Sequence, residues 1–381
     1  RFDASHPVGC SHHQKIVVID DRLAACGGID IAADRWDTPE HLDDDPHRIG
    51  PSGKPYAPWH DTTMLMQGEV AEQLSVLGRE RWKVATSAEL PAIDPCDQQW
   101  PDSLDVMFTD VDVAIARTRA AYDDLPEVRE VETLYLDMIA AAERFCYIEN
   151  QYLTSATIAA AIAQRLAAPS PPEFVLVMPR QADGWLEQKA MDATRVKLVR
   201  AIGRADQLKR FRVYVPVTAG GVDIYVHAKV AILDDRLLRI GSANLNNRSQ
   251  GLDSECDVII DSALAANKGS EAAMTALRHR LLAEHLGCSV EEYAAQEQAC
   301  GSMIEAIEAL RGATGQGKTL APLPMEEIGE LDEFIADREL LDPDRPEQLF
   351  EPMGKHGLAK SWARGRASIA ARLHRGRRGA G

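Results

Sequence analysis

The sequence predicts an α/β protein made of two homologous lobes. One observation is an internal repeat of a strand-forming segment; the other is an alternation of short apolar runs with amphipathic helical stretches along the chain. The first copy runs His13-Gln14-Lys15-Ile16-Val17-Val18-Ile19-Asp20-Asp21-Arg22-Leu23 and reaches Gly27. The second runs His227-Ala228-Lys229-Val230-Ala231-Ile232-Leu233-Asp234-Asp235-Arg236-Leu237 and reaches Gly241. His, Lys, Asp-Asp-Arg-Leu and Gly share one register, 214 positions apart (227 − 13).

Within each copy, His and Lys are two apart, so on a strand both project from one face. The apolar run after Lys reads as a buried strand, Asp-Asp as a turn, and Leu23–Cys26 or Leu237–Ile240 as the returning strand. Gly27-Gly28 and Gly241-Ser242 suit a close approach of backbone to a ligand.

The remaining elements follow in order. Residues 38–57, rich in Asp, Pro and Gly, read as a loop; its His41, His47 and Asp43–Asp45 read as a solvated insertion rather than a metal cluster, because no ligand spacing supports one. Gly68–Thr86 has helical periodicity, 87–103 is a connection, and Met107–Ala116 is a strand closing the first lobe. Glu130–Phe145 is an amphipathic helix leading into a strand that holds Tyr147. Ser155 caps a helix over 156–167. Phe174–Met178 is a strand and Trp185–Arg204 a helix, with Trp185 and Met191 read as core before lipid-channel lining. Phe211–Val217 and Val222–Val226 are strands, and 262–312 is helical. These readings give a first lobe over 1–125, a second over 126–318 and a tail over 319–381, acidic at first and basic from Lys355 to Arg378. Leu358, Trp362, Ile369 and Leu373 give that basic segment an apolar stripe, which suits either an anionic membrane surface or a solubilising tail.

Composition narrows the function. With 381 residues, 45% hydrophobic and 27% charged, the chain can bury a sizeable core. A formal net charge of −17 argues against a general nucleic-acid binder, since such a surface repels phosphate backbones. The seven cysteines lack a C-x-x-C pair and read as reduced, buried thiols of a cytoplasmic protein.

Two His and two Lys, repeated in register, suit attack on a phosphodiester. One His serves as nucleophile, forming a phosphohistidine, and the other as acid and then base. Lys15 and Lys229 hold the nonbridging oxygens, and Ser242 and Asn244 add neutral donors, so neither metal nor cofactor is expected. Each His needs an acid on its second nitrogen, for which Asp61 and Glu255 are candidates, and the two imidazoles need environments that separate their pKa values. Asp20 and Asp234 complete the repeated motif, and turn anchoring accounts for them better than substrate contact.

These residues resemble the phospholipase D superfamily, whose signature H-x-K-x4-D occurs once per lobe. Three further blocks carry the resemblance: Pro58-Trp59-His60-Asp61, then Gly68 and Arg81-Trp82; Tyr147-Ile148-Glu149-Asn150-Gln151-Tyr152-Leu153; and Gly241-Ser242-Ala243-Asn244-Leu245-Asn246-Asn247-Arg248-Ser249 followed by Asp253-Ser254-Glu255. The likeness covers residues 5 to about 260 and is similar to bacterial enzymes of the eukaryote-like type. It implies two lobes, each a mixed β-sheet flanked by helices, with one active site at their interface. It also implies His13 as nucleophile, His227 as acid/base, and a crossed support in which Glu255 holds His13 and Asp61 holds His227. Gly28 falls where the family has Gly or Ser, and is taken with Ser242 and Asn244 as substrate-binding. Asp30 stands where the family commonly has Asn, so it is left outside the catalytic set.

If the second lobe begins near Val131, His227 lies 96 residues into it (227 − 131), against 12 before His13. The first lobe is therefore expected to be incomplete, with exposed apolar faces. The implied partner is a phospholipid, cleaved or transferred at its phosphodiester, with no nucleic acid; oligomeric state is left open. Cardiolipin-synthase-like transfer, a superfamily nuclease and a non-catalytic lipid scaffold are the competing readings.

Overall fold

The structure, a computed structural model, describes residues 3–94, 100–182, 185–312, 317–325 and 342–343, with backbone alone over 185–190. Trp185's side chain, Cys96, the acidic segment near 329–337 and the basic segment from Lys355 lie outside the described residues. Among the described residues no helix is long and apolar enough to cross a membrane.

The first repeat forms an antiparallel hairpin, β1 (Ile16–Ile19) and β2 (Leu23–Gly27). Asp20 and Asp21 turn the chain with φ of 52° and 55°, a left-handed conformation that Asp tolerates because its short side chain bonds locally. After the loop come β3 (Trp59–His60), β4 (Thr63–Gln67) and α1 (Glu69–Thr86). β4 pairs with β2, giving a three-stranded sheet in the order β1-β2-β4. Ala71 and Leu74 of α1 pack onto it with Ala24, Cys26 and Met66.

The next elements are β5 (Ala114–Arg119), β6 (Val128–Arg129), α2 (Glu130–Ala141), β7 (Phe145–Glu149), α3 (Ala156–Leu166), β8 (Glu173–Val177), α4 (Trp185–Ala205) and β9 (Phe211–Val217). Ser155 caps α3, its Oγ accepting from Ile158 N, as the sequence predicts. Then come β10 (Tyr225–Val226), the second repeat as β11 (Val230–Leu233) and β12 (Leu237–Gly241), α5 (Asn247–Gly251), β13 (Glu255–Asp261), α6 (Glu271–Leu286), α7 (Val290–Cys300), α8 (Met303–Leu310) and β14 (Thr319–Pro322).

Nine strands form one sheet in the order β14-β9-β8-β7-β11-β12-β13-β5-β6. β7, β8 and β9 are parallel and the other pairs antiparallel. β7 and β8 are buried throughout, because helices cover both faces and polar alternation would strand polar groups in a core. Alternate residues divide between the two sides. Ala231 and Leu233 join the core under α2 and α3, whereas Val230 and Ile232 join the core under α6 and α8.

Two expectations need correction. The strand expected over Met107–Ala116 begins at Ala114, and it pairs with β13 in the large sheet instead of closing the first lobe. Met107, Phe108, Val111 and Val113, which precede it, pack as side chains against the core under α6. The tail expected from 319 starts inside the sheet, because Thr319–Pro322 satisfies the open edge of β9. Met191 is buried at 3% exposure, as core packing requires.

The repeats agree residue for residue. Ile16 faces Cys26 and Ile19 faces Leu23 in one hairpin, while Val230 faces Ile240 and Leu233 faces Leu237 in the other. Their outer edges differ. β11 is flanked by β7 as well as β12, while β1 pairs with β2 alone among the described residues, and Val17 and Ile19 are exposed.

Candidate active site

Each signature histidine begins as a short parallel bridge to the other half of the chain. His12 bridges Ser254, and His13 N donates to Ser254 O at 3.0 Å. β10 pairs with β3, placing Val226 opposite His60, and His227 N donates to His60 O at 2.8 Å. The next residues along those partners are Glu255 and Asp61, so register alone delivers a carboxylate to each ring.

The result is the crossed pattern that the resemblance implies. His13 Nδ1 lies 3.0 Å from both oxygens of Glu255, and His227 Nδ1 lies 2.8 Å from Asp61 Oδ2. Holding Nδ1 fixes each ring's orientation and directs Nε2 toward the reaction space. Burial raises the carboxyl of Glu255, but the charge of His13 and hydrogen bonds from it, Ser242 and Ser249 outweigh burial and lower it. Burial likewise opposes, and His227 and Lys229 overcome, the lowering of Asp61.

Lys15 Nζ donates to His13 O at 3.0 Å, and Lys229 Nζ donates to His227 O. Lys229 is fully buried, and burial lowers its pKa to about 7. Burial, followed by the charge of Lys229, lowers His227 to about 4. Burial thus disfavours the charged forms of His227 and Lys229 even though Asp61 and Asp30 favour them.

Several predicted residues take other places. Asp20 and Asp234 lie in the turns at the far ends of β1 and β11 from His and Lys. Four residues of strand separate them, roughly 13 Å. Asp234 instead accepts from the backbone N–H groups of Glu143, Arg144 and Phe145, each at 2.8 Å, and so fixes the start of β7. Asp20 is exposed at its turn.

Ser242 donates its hydroxyl to Glu255 Oε2 at 2.5 Å, and Ser249 donates to Oε1 at 2.6 Å. Ser242 therefore steadies the carboxylate behind His13 and does not present its hydroxyl to substrate. Gly28 also works indirectly. A Cβ there would overlap Asp61 Oδ1 and the carbonyl oxygen of His227, so glycine lets the Asp61–His227 pair close. Asn244 is buried, and its Oδ1 has no hydrogen-bond partner among the described residues, which leaves an acceptor available to a bound hydroxyl.

Other contributors carried no role in the sequence reading. Trp59 stacks on Tyr225 at 4.7 Å and lies 5.2 Å from the His227 ring. Gln151 donates to Tyr225 Oη, and Lys229 Nζ lies 3.5 Å from Gln151 Oε1. Asp30 pairs with Lys15 at 3.1 Å. The P-W-H-D and I-E-N-Q blocks were signals for the first two; the Asp-for-Asn departure was the signal for the third.

His41 is not part of a solvated insertion. It is 3% exposed, with Nδ1 2.8 Å from Asp37 Oδ2 and Nε2 3.1 Å from Glu284 Oε1. His60 spans Glu149 Oε2 at 2.8 Å and Glu284 Oε1 at 2.9 Å, and His285 Nε2 meets Glu149 Oε1 at 3.1 Å. This network ties the 37–60 loop to β7 and α6 directly behind Asp61. His47, by contrast, is 77% exposed in its side chain. His41, His60 and Glu284, or His60, Glu149 and His285, place donor atoms within 4.8 Å of one another. Both ring nitrogens of His41 and of His60 already face carboxylates, so a cation would have to displace ring protons.

Comparison with known proteins finds phospholipase D relatives. A family profile described as cardiolipin synthase, PLD-like domain, matches residues 135–275. Phospholipase D1 of Saccharomyces cerevisiae is 26% identical over 379 aligned positions, covering 74% of this chain and 22% of the yeast protein. Phospholipase D delta of Arabidopsis thaliana is 24% identical over 423 positions, covering 74% and 48%. The chain thus spans between a fifth and a half of the length of these relatives. Among solved structures, NucT from Helicobacter pylori aligns with a TM-score of 0.32 at 17% identity, over 45% of this chain and 94% of that one. Nuc from Salmonella typhimurium, a phospholipase D family member, aligns with a TM-score of 0.31 at 15% identity, over 45% and 91%. The repeated motif, the family profile over residues 135–275 and the phospholipase D relatives support the phospholipase D superfamily as the family this chain resembles.

Proposed function

We propose that the chain is a phospholipase D-type phosphodiesterase that hydrolyses or transfers the phosphatidyl group of a glycerophospholipid. The observation that carries this reading is the crossed pair of supports, Glu255 on His13 and Asp61 on His227, built by two H-x-K segments in one register.

In the first step His13 Nε2 attacks phosphorus. The bond from phosphorus to the head-group oxygen breaks, its electron pair leaves with that oxygen, and His227 supplies the proton. In the second step His227 takes a proton from water or an alcohol, whose oxygen attacks phosphorus and breaks the phosphorus–nitrogen bond. Lys15 and Lys229 hold the nonbridging oxygens throughout. His227 sits near 4 in the empty site. A bound phosphodiester adds a negative charge beside Lys15 and Lys229, which raises His227 toward the range where it carries a proton. The side chains supply nucleophile, acid and counter-charge by themselves, so the proposed route is metal-independent. Peripheral contact with a membrane follows from the lipid substrate.

A second reading has the same chemistry with a lipid alcohol as acceptor, and is favoured by the cardiolipin synthase description of the matching profile. The test is incubation with mixed phospholipid vesicles in chelator plus ethanol, followed by lipid mass spectrometry. Phosphatidic acid and phosphatidylethanol, both absent with His13→Ala, are expected. Cardiolipin from phosphatidylglycerol would favour the second reading. Unchanged lipids with nicked plasmid DNA would replace both with a nuclease, and loss of activity in chelator would remove the metal-independent route.

A further inference from the structure

We propose that Asp30 makes the site discriminate against doubly charged phosphate monoesters, so that the product of hydrolysis leaves and a diester takes its place. The proposal rests on the phosphodiesterase reading above.

The two halves of the site are related by the 214-residue repeat, and the relation breaks in charge at Asp30, as it breaks in side chain at Gly28 opposite Ser242. Asp30 and Asn244 each stand 17 residues beyond their histidine. Asn244 is neutral and buried, with no cation paired to it, whereas Asp30 brings a carboxylate to Lys15 Nζ at 3.1 Å. Arg35, stacked over the Trp59 ring at 4.3 Å, approaches the same carboxylate at 3.9 Å. Burial raises the Asp30 carboxyl, but Lys15 first, then His227 and His13, outweigh burial and keep it ionised. Lys229 also interacts with it. The groups facing Asp30 are therefore Lys15, Arg35, His13, His227 and Lys229, all but Arg35 belonging to the two H-x-K segments of the proposed site.

Lys15 does not need Asp30 for its placement alone, because it also donates to His13 O at 3.0 Å. What Asp30 adds is a fixed negative charge beside the cation that holds a phosphate oxygen. A phosphodiester carries one negative charge. A monoester has a second pKa near 6 and carries about 1.5 to 2 at pH 7. The extra charge meets Asp30 at short range in a half-buried site, which weakens monoester binding relative to diester by about tenfold at neutral pH. At low pH both ligands are monoanions and the discrimination disappears.

The experiment compares wild type, Asp30→Asn and Asp30→Glu using short-chain phosphatidylcholine as substrate and short-chain phosphatidic acid as competitive inhibitor, at pH 5.5 and 7.5. The quantity read is the inhibition constant divided by KM at each pH, which cancels ionisation changes of His13, His227 and Lys229 in the free site. In wild type and Asp30→Glu the ratio is expected to rise about tenfold from pH 5.5 to 7.5. In Asp30→Asn it is expected to stay flat, with stronger product inhibition at pH 7.5. A ratio that rises equally in all three proteins overturns the proposal. So does loss of turnover in Asp30→Asn with unchanged calorimetric affinity for phosphatidic acid, since Asp30 would then only place Lys15. If wild type turns over no diester, the phosphodiesterase reading itself fails, and this role with it.

Discussion

His13 Nδ1 lies 3.0 Å from both oxygens of Glu255, a residue 242 positions further along the chain. The carboxylate is fully buried and receives the hydroxyls of Ser242 and Ser249 on its two oxygens, so it cannot turn away from the ring.

Glu255→Gln preserves volume while removing the charge that stabilises a positive His13. Turnover is expected to fall by roughly 10²- to 10⁴-fold, with KM nearly unchanged, as when the acid behind a catalytic histidine is neutralised. Steady-state kinetics beside a circular-dichroism check of the fold measures this; a turnover loss under threefold would remove Glu255 from the mechanism.

Lys229 is a buried ammonium with its pKa lowered to about 7, so its charge costs stability that function retains. The unfolded chain keeps the proton up to about pH 10.4, whereas the folded chain releases it near 7. Stability contributed at this site therefore rises with pH between those values. Lys229→Met is expected to abolish turnover yet stabilise the fold by a few kcal/mol at pH 7. The gain should shrink toward pH 10. Urea unfolding of both proteins across that range decides it, and a destabilised variant would contradict the account.

Glu149 has its carboxyl held well below the usual range, since the charge of His60 and the hydrogen bond of His285 outweigh its burial. Its contribution is complete above the ordinary carboxyl value and is lost as pH falls through the lowered one. His60 is raised because Glu149 and Glu284 outweigh burial, so its contribution is complete below about 6.5 and lost as pH rises through the raised value. The pair is most stabilising at about pH 5 to 6.5. Glu149→Ala leaves His60 with Glu284 as its one carboxylate and takes the partner from buried His285, and is expected to cost about 3–5 kcal/mol there. Thermal unfolding at several pH values reads the window; a constant difference would show that the charges are not coupled.

Asp234 accepts three backbone N–H groups at the entrance to β7 and lies away from the reacting atoms. Asp234→Ala is expected to lower stability by about 1–3 kcal/mol while turnover at 20 °C stays within about threefold. A large loss of turnover in a protein that remains folded would return Asp234 to the catalytic set.

The amino-acid sequence by itself determined the two hairpins, their shared register, the His-Lys pairs and the helices of the second lobe. These depend on local periodicity, on turn residues such as Asp20-Asp21 and Asp234-Asp235, and on a repeat that exposes itself by comparison within the chain. The pairing of Glu255 with His13 was readable only through a resemblance. Tertiary structure decided what joins segments far apart: β5 on β13, β14 on β9, the burial of His41 against Glu284, the diversion of Ser242 to Glu255, and the placing of Asp30 on Lys15. Strand edges and buried charges find partners through packing and desolvation, which weigh distance in space and not position along the chain.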